Sequence, residues 1–320
     1  MDTQPNKSWK WIGIAIIAVL VLAVVGLTNR NVESRFLSPV TRSTKQITFA
    51  SPAEASTALA NAAKADDNMA LGRILGPDTM ALLLSGDTES DKAAVTSFVS
   101  KYEQMNRWVD MTDGTRVLYI GADNFAFPVP LAKNSSGRWY FDAVAGAEEV
   151  RARTIGRNEI LAMDASYALA KAEEIFYSEG DSPEFAQQIV SSPGRQNGLY
   201  WPARDEQGVS PLGDITRFPK ASLASISSNQ PLVVDGYELR ILTAQGGAAA
   251  GGPQSYIVNG KMTGGFAILA TPVKYGETGI MTFMNSNEGT LYERDFGPDT
   301  QKAAASLTAY NPTDDWTPVE

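Results

Sequence analysis

The stretch TRVLYIGADNFAFPVPLAKNSSGRWYFD, residues 115–142, alternates apolar and polar side chains in short runs that turn residues separate. Alternation with a period of two is typical of strands that bury one face. The run FAFPVPLAK places Phe125, Phe127, Val129 and Leu131 on one face, and its two prolines point away from that face. Because proline cannot donate to a sheet ladder, we expect this strand at an edge or at a bulge. The stretch predicts an antiparallel meander.

Helical patterns precede the meander. In FASPAEASTALANAAKADD, Ser51 is a predicted N-cap and Glu54 completes a capping box. A second short helix is predicted to end at Gly76, and a longer one is predicted from about Asp91 to Arg107. Helices followed by a curved antiparallel sheet predict an α+β cone domain over residues 47–157.

A β-rich run occupies the last part of the chain, after a connecting helix predicted from about Asn158 to Tyr177. Asn259-Gly260 is the strongest hairpin signal, and Asn287-Glu288-Gly289 predicts a second turn. The glycine-rich residues 246–253 lie between predicted strands, whereas a phosphate-binding loop would lead into a helix. We interpret them as a hairpin connection and predict one β-rich domain over residues 158–320, including the connecting helix.

The composition of the 320 residues excludes several chemistries. The chain has no histidine and no cysteine, which excludes Ser-His-Asp and Cys-His catalysis, histidine-ligated zinc and disulfides. Any catalysis must use carboxylates, Lys, Tyr, Ser, Thr or an oxygen-ligated metal, and we expect no cofactor and no metal site. The net charge of −9 and the pI near 4.8 argue against a nucleic-acid partner, because phosphate binding needs a basic stripe.

The N-terminus predicts a membrane anchor. Residues 12–27, IGIAIIAVLVLAVVGL, carry no charge, and two tryptophans precede them as interfacial aromatic residues would. With these flanks, residues 9–28 approach the roughly 20 residues that a bilayer-spanning helix needs. The alternative is a cleaved signal peptide, whose apolar region is usually shorter and ends in small residues. We expect an uncleaved anchor over residues 1–29, a linker over residues 30–46, and export of the remaining chain.

A group of charged residues follows the meander, and its members are the candidate catalytic residues Asp142, Glu148, Glu149, Arg157 and Glu159. Paired carboxylates can act as general acid and base if their environments separate their pKa values, and an arginine can orient one of them. The alternative, which we favour, is that Glu148 and Glu149 lie on a solvated helix face while Arg157 pairs with a neighbouring carboxylate. We interpret Glu173 and Glu174 as surface residues.

The stretch SSPGRQNGLYWP, residues 191–202, combines turn residues with an aromatic pair. Arg195, Tyr200 and Trp201 could stack on a sugar or bind a peptide, since arginine and aromatic residues dominate recognition surfaces. Alternatively, the aromatic residues pin a long connection onto a sheet. We favour this structural corner, with Trp201 as its anchor, and keep the three residues as the candidate binding site.

Taken together, these segments resemble the bacterial domain of unknown function 2950 family. Matching stretches run in order from about Phe49 to Thr300 and include FASPAEA, GADNFAFPVPLAK, IGRNEI, GLYWP and LYERDFGPDT. The resemblance implies an exported or envelope-associated bacterial protein whose molecular activity has no established assignment. Where that family leads us to expect an acidic residue before Gly-Leu-Tyr, this chain has Asn197.

Two further resemblances concern parts of the chain. The N-terminal half is similar to the nuclear-transport-factor-2-like superfamily, in which a helix with a Ser-Pro-x-Glu start precedes a sheet ending in a Trp-x-Phe/Ile-Asp strand. The last third is similar to the β-domains of minor pilins and pseudopilins, through GYELRILTA and ATPVKYGETGIMTF. Fold-level likeness carries no function.

We therefore expect a single-pass protein of the bacterial inner membrane whose periplasmic part binds or scaffolds, with an envelope protein or glycan as partner. The alternative is a carboxylate-dependent hydrolase or lyase that acts on an envelope polymer through Asp142 and Glu148 or Glu149.

Overall fold

The computed structural model describes residues 46–76, 79, 83, 88–180, 183–202, 208–213 and 230–319. These residues combine helices with antiparallel sheets, which confirms the α+β class. The chain divides into two compact units, unit 1 up to Arg153 and unit 2 from Thr154 onward. The predicted anchor lies outside the described ranges. Across those ranges, no helix has the length and apolar character needed to cross a bilayer.

Within the described residues, unit 1 contains the helices α1 (Pro52–Lys64), α2 (Asn68–Leu75) and α3 (Thr88–Gln104), followed by the strands β1 (Asn106–Asp110), β2 (Arg116–Ile120), β3 (Phe125–Ala126), β4 (Leu131–Lys133) and β5 (Trp139–Phe141). Helix α4 (Ala143–Glu179) begins directly after β5 and runs on into unit 2. Within the described residues, unit 2 also contains β6 (Leu232–Val234), β7 (Tyr237–Leu242), β8 (Ala244–Gln245), β9 (Gln254–Ser255), β10 (Ile257–Val258), β11 (Lys261–Met262), β12 (Ala267–Pro272), β13 (Met281–Ser286), β14 (Leu291–Asp295), a 3-10 turn (Gly297–Asp299), α5 (Thr300–Ser306) and β15 (Thr317–Pro318).

Helix α1 begins at the predicted N-cap. The Oγ of Ser51 accepts a hydrogen bond from the backbone N–H of Glu54 at 3.1 Å, and the Glu54 carboxylate accepts one from Ala50 N at 2.7 Å. In the usual capping box the glutamate accepts its bond from the N–H of the N-cap residue, whereas here Glu54 accepts it from the residue before the N-cap. Beyond this cap, α1 buries Ala55 and Leu59 in the core of unit 1.

The sheet of unit 1 has the strand order β1-β2-β4-β5, with β3 paired to β2. Two boundaries differ from the sequence prediction. The third helix ends at Gln104, because the following residues pair with β2 and place Trp108 opposite Leu118. The run FAFPVPLAK forms two short strands and not one, since its prolines interrupt the ladder. Phe127 and Val129 are nevertheless buried as predicted.

Unit 2 is built on a six-stranded antiparallel sheet with the order β15-β14-β13-β12-β7-β6. Every residue of the central strand β12 is buried, and the core includes Leu169 from α4. Asn259 and Gly260 join β10 to β11 with φ values of 52° and 81°, as a two-residue hairpin turn requires. The turn at residues 287–289 joins β13 to β14. Both predicted turns are therefore confirmed.

Helix α4 starts 15 residues before the predicted Asn158, and it is 37 residues long. The Oδ1 of Asp142 caps its start by accepting hydrogen bonds from Val144 N and Ala145 N, each at 3.1 Å. Gly146 lies in the first turns, where an added Cβ would come within 2.9 Å of Val129. This glycine permits close packing of the helix and does not mark a helix end.

Candidate functional site

Main-chain hydrogen bonds hold residues 191–202 against the segment that precedes them. Tyr200 N donates to Ile189 O at 2.9 Å, and Ser191 N donates to Tyr200 O at 2.8 Å. The amide of Asn197 fixes the turn between them, because its Oδ1 accepts from Ser192 N at 3.0 Å and from Gln188 Nε2 at 2.9 Å. The stretch is therefore a corner that folds back on itself, and we call it the 191–202 corner.

The three predicted binding residues have different environments in this corner. Tyr200 is buried in the core of unit 2, with 6% of its surface exposed. Trp201 is half-buried, and its indole N–H donates to Gly208 O at 2.9 Å. Arg195 is exposed. Tyr200 and not Trp201 is thus the buried anchor, and Arg195 is the one of the three predicted binding residues that is fully on the surface.

The three candidate acids of unit 1 either contact nearby residues of the chain or face solvent. Asp142 caps α4, and Glu148 is exposed on that helix. Glu149 forms an ion pair with Arg153 at 2.7 Å, with the four-residue spacing that suits a helix. Arg153 also donates to Ala126 O at 2.8 Å. In this structure Asp142 therefore caps a helix, Glu149 forms a surface ion pair, and Glu148 faces solvent.

The two remaining candidates lie on α4 within unit 2. Arg157 is half-buried, and one of its terminal nitrogens donates to Asn158 Oδ1 at 3.2 Å. Burial lowers the pKa of Arg157, and the negative charge of Asp235 opposes that shift. The Oε1 of Glu159 accepts hydrogen bonds from Ile280 N at 2.9 Å and Met281 N at 3.0 Å. Glu159 therefore ties α4 to the start of β13.

Next to this bond lies a groove that the sequence analysis did not single out. It has a volume of about 310 Å³ and is lined by Met281, Glu293, Arg294, Asp295, Asp315 and Thr317. Glu293 and Asp295 are alternate residues of β14, so their side chains leave the same face of the strand. Arg294 forms an ion pair with Asp315 at 3.2 Å. We call this feature the carboxylate groove.

Burial raises the pKa of the Glu293 carboxyl, and the negative charge of Glu159 raises it further. Below them, the Tyr237 hydroxyl donates to Met281 O at 2.9 Å. Burial, together with the charges of Glu159 and Glu293, raises the pKa of this phenol above its ordinary value. Glu293, which lines the groove, thus has a carboxyl with a raised pKa, and Glu159, held by backbone N–H groups, and the buried Tyr237 are close enough to interact with it electrostatically.

The arrangement can attract a positive charge or exchange a proton. Neighbouring carboxylates in unlike environments are used as acid and base in several enzymes, and they also bind cationic groups. Over the described ranges, no three acidic side chains are placed to hold a metal ion. The sequence analysis identified Glu159 as a candidate but not Glu293 and Asp295. The signal was present in the stretch LYERD, where the two acids are two positions apart and therefore lie on one face of a strand.

Glu173 is a clear correction to the sequence analysis. Its exposed fraction is 0%, whereas its neighbour Glu174 is exposed and pairs with Lys171 at 2.7 Å. The side chain of Glu173 points into unit 2 because α4 packs on the sheet there, and its Oε2 accepts a hydrogen bond from Ala186 N at 2.7 Å. Two adjacent glutamates thus have opposite environments on one helix.

Two α+β units, one of them with a carboxylate-lined groove, define a protein with a candidate binding site. The model of the family described as Protein of unknown function (DUF2950) matches residues 46–319, and the chain belongs to this family. The resemblance read from the sequence motifs is thereby confirmed. No curated protein and no solved structure matches the chain. The likeness to nuclear-transport-factor-2-like proteins and to pilin β-domains is not confirmed.

Proposed function

We propose that this chain is a single-pass protein of the bacterial inner membrane whose periplasmic part binds a partner without transforming it. The apolar run at residues 12–27 supports the anchor. The observation that carries the binding role is the carboxylate groove, which Glu293, Asp295 and Asp315 line. The partner is an envelope protein or glycan that presents a positively charged group.

The charge distribution supports a cationic group on the partner. Unit 2 contains 20 Asp and Glu residues against 11 Lys and Arg residues, so most of the negative charge of the chain resides there. A surface with one dominant sign attracts ligands of the opposite sign and repels like charges. Lysine side chains of a protein or free amino groups of a glycan have the required charge.

We expect the groove to bind a lysine-rich peptide in a salt-dependent manner. Glu293→Gln and Asp295→Asn should each weaken this binding by up to about fivefold, because each removes one carboxylate contact worth at most about 1 kcal/mol. The measurement is calorimetric titration of the full-length chain in detergent. Asp314→Asn removes the same charge at an exposed position that does not line the groove. Equal weakening by Asp314→Asn would show that the attraction is diffuse.

A carboxylate-dependent hydrolase or lyase is the second candidate function, and the observation that favours it is that Glu293 lines the groove close enough to Glu159 for the charge of Glu159 to raise its pKa. In this case Glu293 would donate a proton to the leaving group as its bond breaks, and Glu159 would take a proton from the attacking water in a hydrolase or from the adjacent substrate carbon in a lyase. Incubation of the wild-type chain with purified envelope polymer separates the two functions. A binding protein leaves the polymer intact, whereas an enzyme cleaves it and loses turnover in Glu293→Gln.

The anchor makes a separate prediction. The full-length protein should sediment with the inner membrane and resist extraction by alkaline carbonate, because an uncharged span is released only by detergent. A variant that lacks residues 1–29 but has a cleavable export signal is the control, and it should appear in the periplasmic fraction. Recovery of the native chain as a shortened soluble form would contradict the anchor.

We also propose that unit 1 is a cone of the nuclear-transport-factor-2-like kind and that the last third of the chain is a pilin-like β-domain. The order of helices followed by an antiparallel sheet in the described part of unit 1 supports the former proposal. The antiparallel pairing of β7, β12, β13 and β14 supports the latter.

A further inference from the structure

The chain contains two Asn-Gly pairs, Asn197-Gly198 and Asn259-Gly260. Such a pair is prone to spontaneous deamidation, because glycine has no Cβ that would hinder its backbone nitrogen from reaching the asparagine side chain. Both asparagines are exposed, so access to water does not distinguish them. The hydrogen bonds around the two pairs differ, and they predict different reactivities.

Hydrogen bonds hold the Asn197-Gly198 pair in an unreactive arrangement. The Oδ1 of Asn197 accepts from Ser192 N at 3.0 Å and from Gln188 Nε2 at 2.9 Å. Gly198 is buried, and its N–H, the group that would have to attack, donates to Ser191 Oγ at 3.0 Å. Cyclisation at this pair would have to break these bonds and expose a buried backbone nitrogen.

The Asn259-Gly260 pair lies at the exposed tip of the β10–β11 hairpin. Within the described part of the chain, neither the Asn259 side chain nor the Gly260 N–H makes a hydrogen bond. The Gly260 carbonyl accepts one from Gln187 Nε2 at 3.0 Å, which leaves the nitrogen available. The hairpin has only two cross-strand residue pairs, so little pairing opposes movement of its tip.

We propose that Asn259 is a site of spontaneous deamidation. The backbone nitrogen of Gly260 attacks Cγ of Asn259, the new N–Cγ bond closes a succinimide ring, and Nδ2 leaves as ammonia with the proton of the Gly260 N–H. Water then opens the ring at either carbonyl. Opening at Cγ gives aspartate, and opening at the main-chain carbonyl gives isoaspartate. The net reaction is hydrolysis of one amide, so it needs no reactant besides water.

Both products alter the hairpin. Each adds one negative charge beside Lys261, which pairs with Glu184 at 3.5 Å. Isoaspartate also adds one carbon to the main chain, so the two-residue turn, with its φ values of 52° and 81°, no longer fits between the strands. We expect the hairpin to loosen as the protein ages, starting with the hydrogen bond from Gln187 to Gly260 O.

Prolonged incubation of the full-length chain in detergent at neutral pH, followed by peptide mass spectrometry, tests this site. The peptide with Asn259 should gain the mass difference between an amide and a carboxyl at least about tenfold faster than the peptide with Asn197, because several hydrogen bonds must first break at Asn197. In guanidinium chloride the two peptides should react at similar rates, since unfolding removes the structural difference. Asn259→Gly, which tolerates the positive φ, should show no gain there.

Equal rates for the two asparagines in the folded chain would overturn this site, and so would a lack of reaction at Asn259. A difference that persists in guanidinium chloride would assign the selectivity to the neighbouring sequence and reject the structural argument. Hydrogen exchange tests the consequence, because β10 and β11 should exchange faster in aged than in fresh wild-type chain, and Asn259→Gly should not change with age. Unchanged exchange in the aged wild type would reject the loosening.

Discussion

Replacement of Tyr200 by alanine is expected to lower the free energy of unfolding of unit 2 by about 3–5 kcal/mol, the usual cost of truncating a large buried aromatic side chain. Tyr200 is 6% exposed and belongs to the core cluster of unit 2. Its removal leaves a cavity, because the backbone on both sides is fixed by hydrogen bonds to Ile189 and Ser191. Such a loss is a large part of the stability of an ordinary domain.

Urea unfolding of the full-length chain, followed through unit 2 peptides by hydrogen exchange, measures this effect. Arg195→Ala is the control and should cost well under about 1 kcal/mol, because an exposed arginine contributes little. Trp201→Ala should fall between the two, since Trp201 is half-buried and donates a single hydrogen bond to Gly208. A larger loss for Trp201→Ala than for Tyr200→Ala would restore Trp201 as the anchor.

Gly198→Ala is expected to destabilise the same unit by about 1–3 kcal/mol, the range for overpacking a filled site. An added Cβ at Gly198 would lie 2.8 Å from Ser191 N and 2.9 Å from Gln188 O. These contacts are with backbone atoms, so no side chain can rotate away to make room. The 191–202 corner would have to open for the methyl group to fit.

Gly156→Ala is the control for this substitution. Gly156 lies within α4, and nothing lies within 4 Å of the position where its Cβ would be. Alanine should therefore stabilise the helix by up to about 1 kcal/mol, because glycine is a poor helix former. The same urea experiment should give opposite signs for the two substitutions. A neutral Gly198→Ala would mean that the close backbone approach is absent in solution.

The groove shows why the candidate site was only partly predictable. Glu159 was selected as a candidate because it lies near other charged residues in the sequence. Glu293 and Asp315 are distant from it in the sequence and were not selected. Pairing of β14 with β13 and β15 places Glu293 next to these strands, and hydrogen bonds from Ile280 and Met281 hold Glu159 at the start of β13. Strand register depends on contacts across the sheet, so sequence spacing alone does not reveal it.

Local chemistry explains the predictions that were confirmed. Ser51 and Glu54 specify a helix start through bonds within a few residues, and Asn259-Gly260 specifies a turn because it tolerates positive φ. The third helix was predicted too long because its last residues have no strong stop signal. Trp108 becomes part of a strand through its pairing with Leu118, ten residues further along the chain.

The sequence by itself determined the α+β class, the family, and the absence of every histidine- or cysteine-dependent chemistry, since these follow from composition and from motifs read in order. Tertiary structure alone decided which of two adjacent glutamates is buried. Glu173 and Glu174 are chemically identical, but one turns toward the sheet and the other toward solvent. The helix rotation that separates them is set by packing of the whole apolar face of α4, because its burial outweighs the cost of one buried carboxyl.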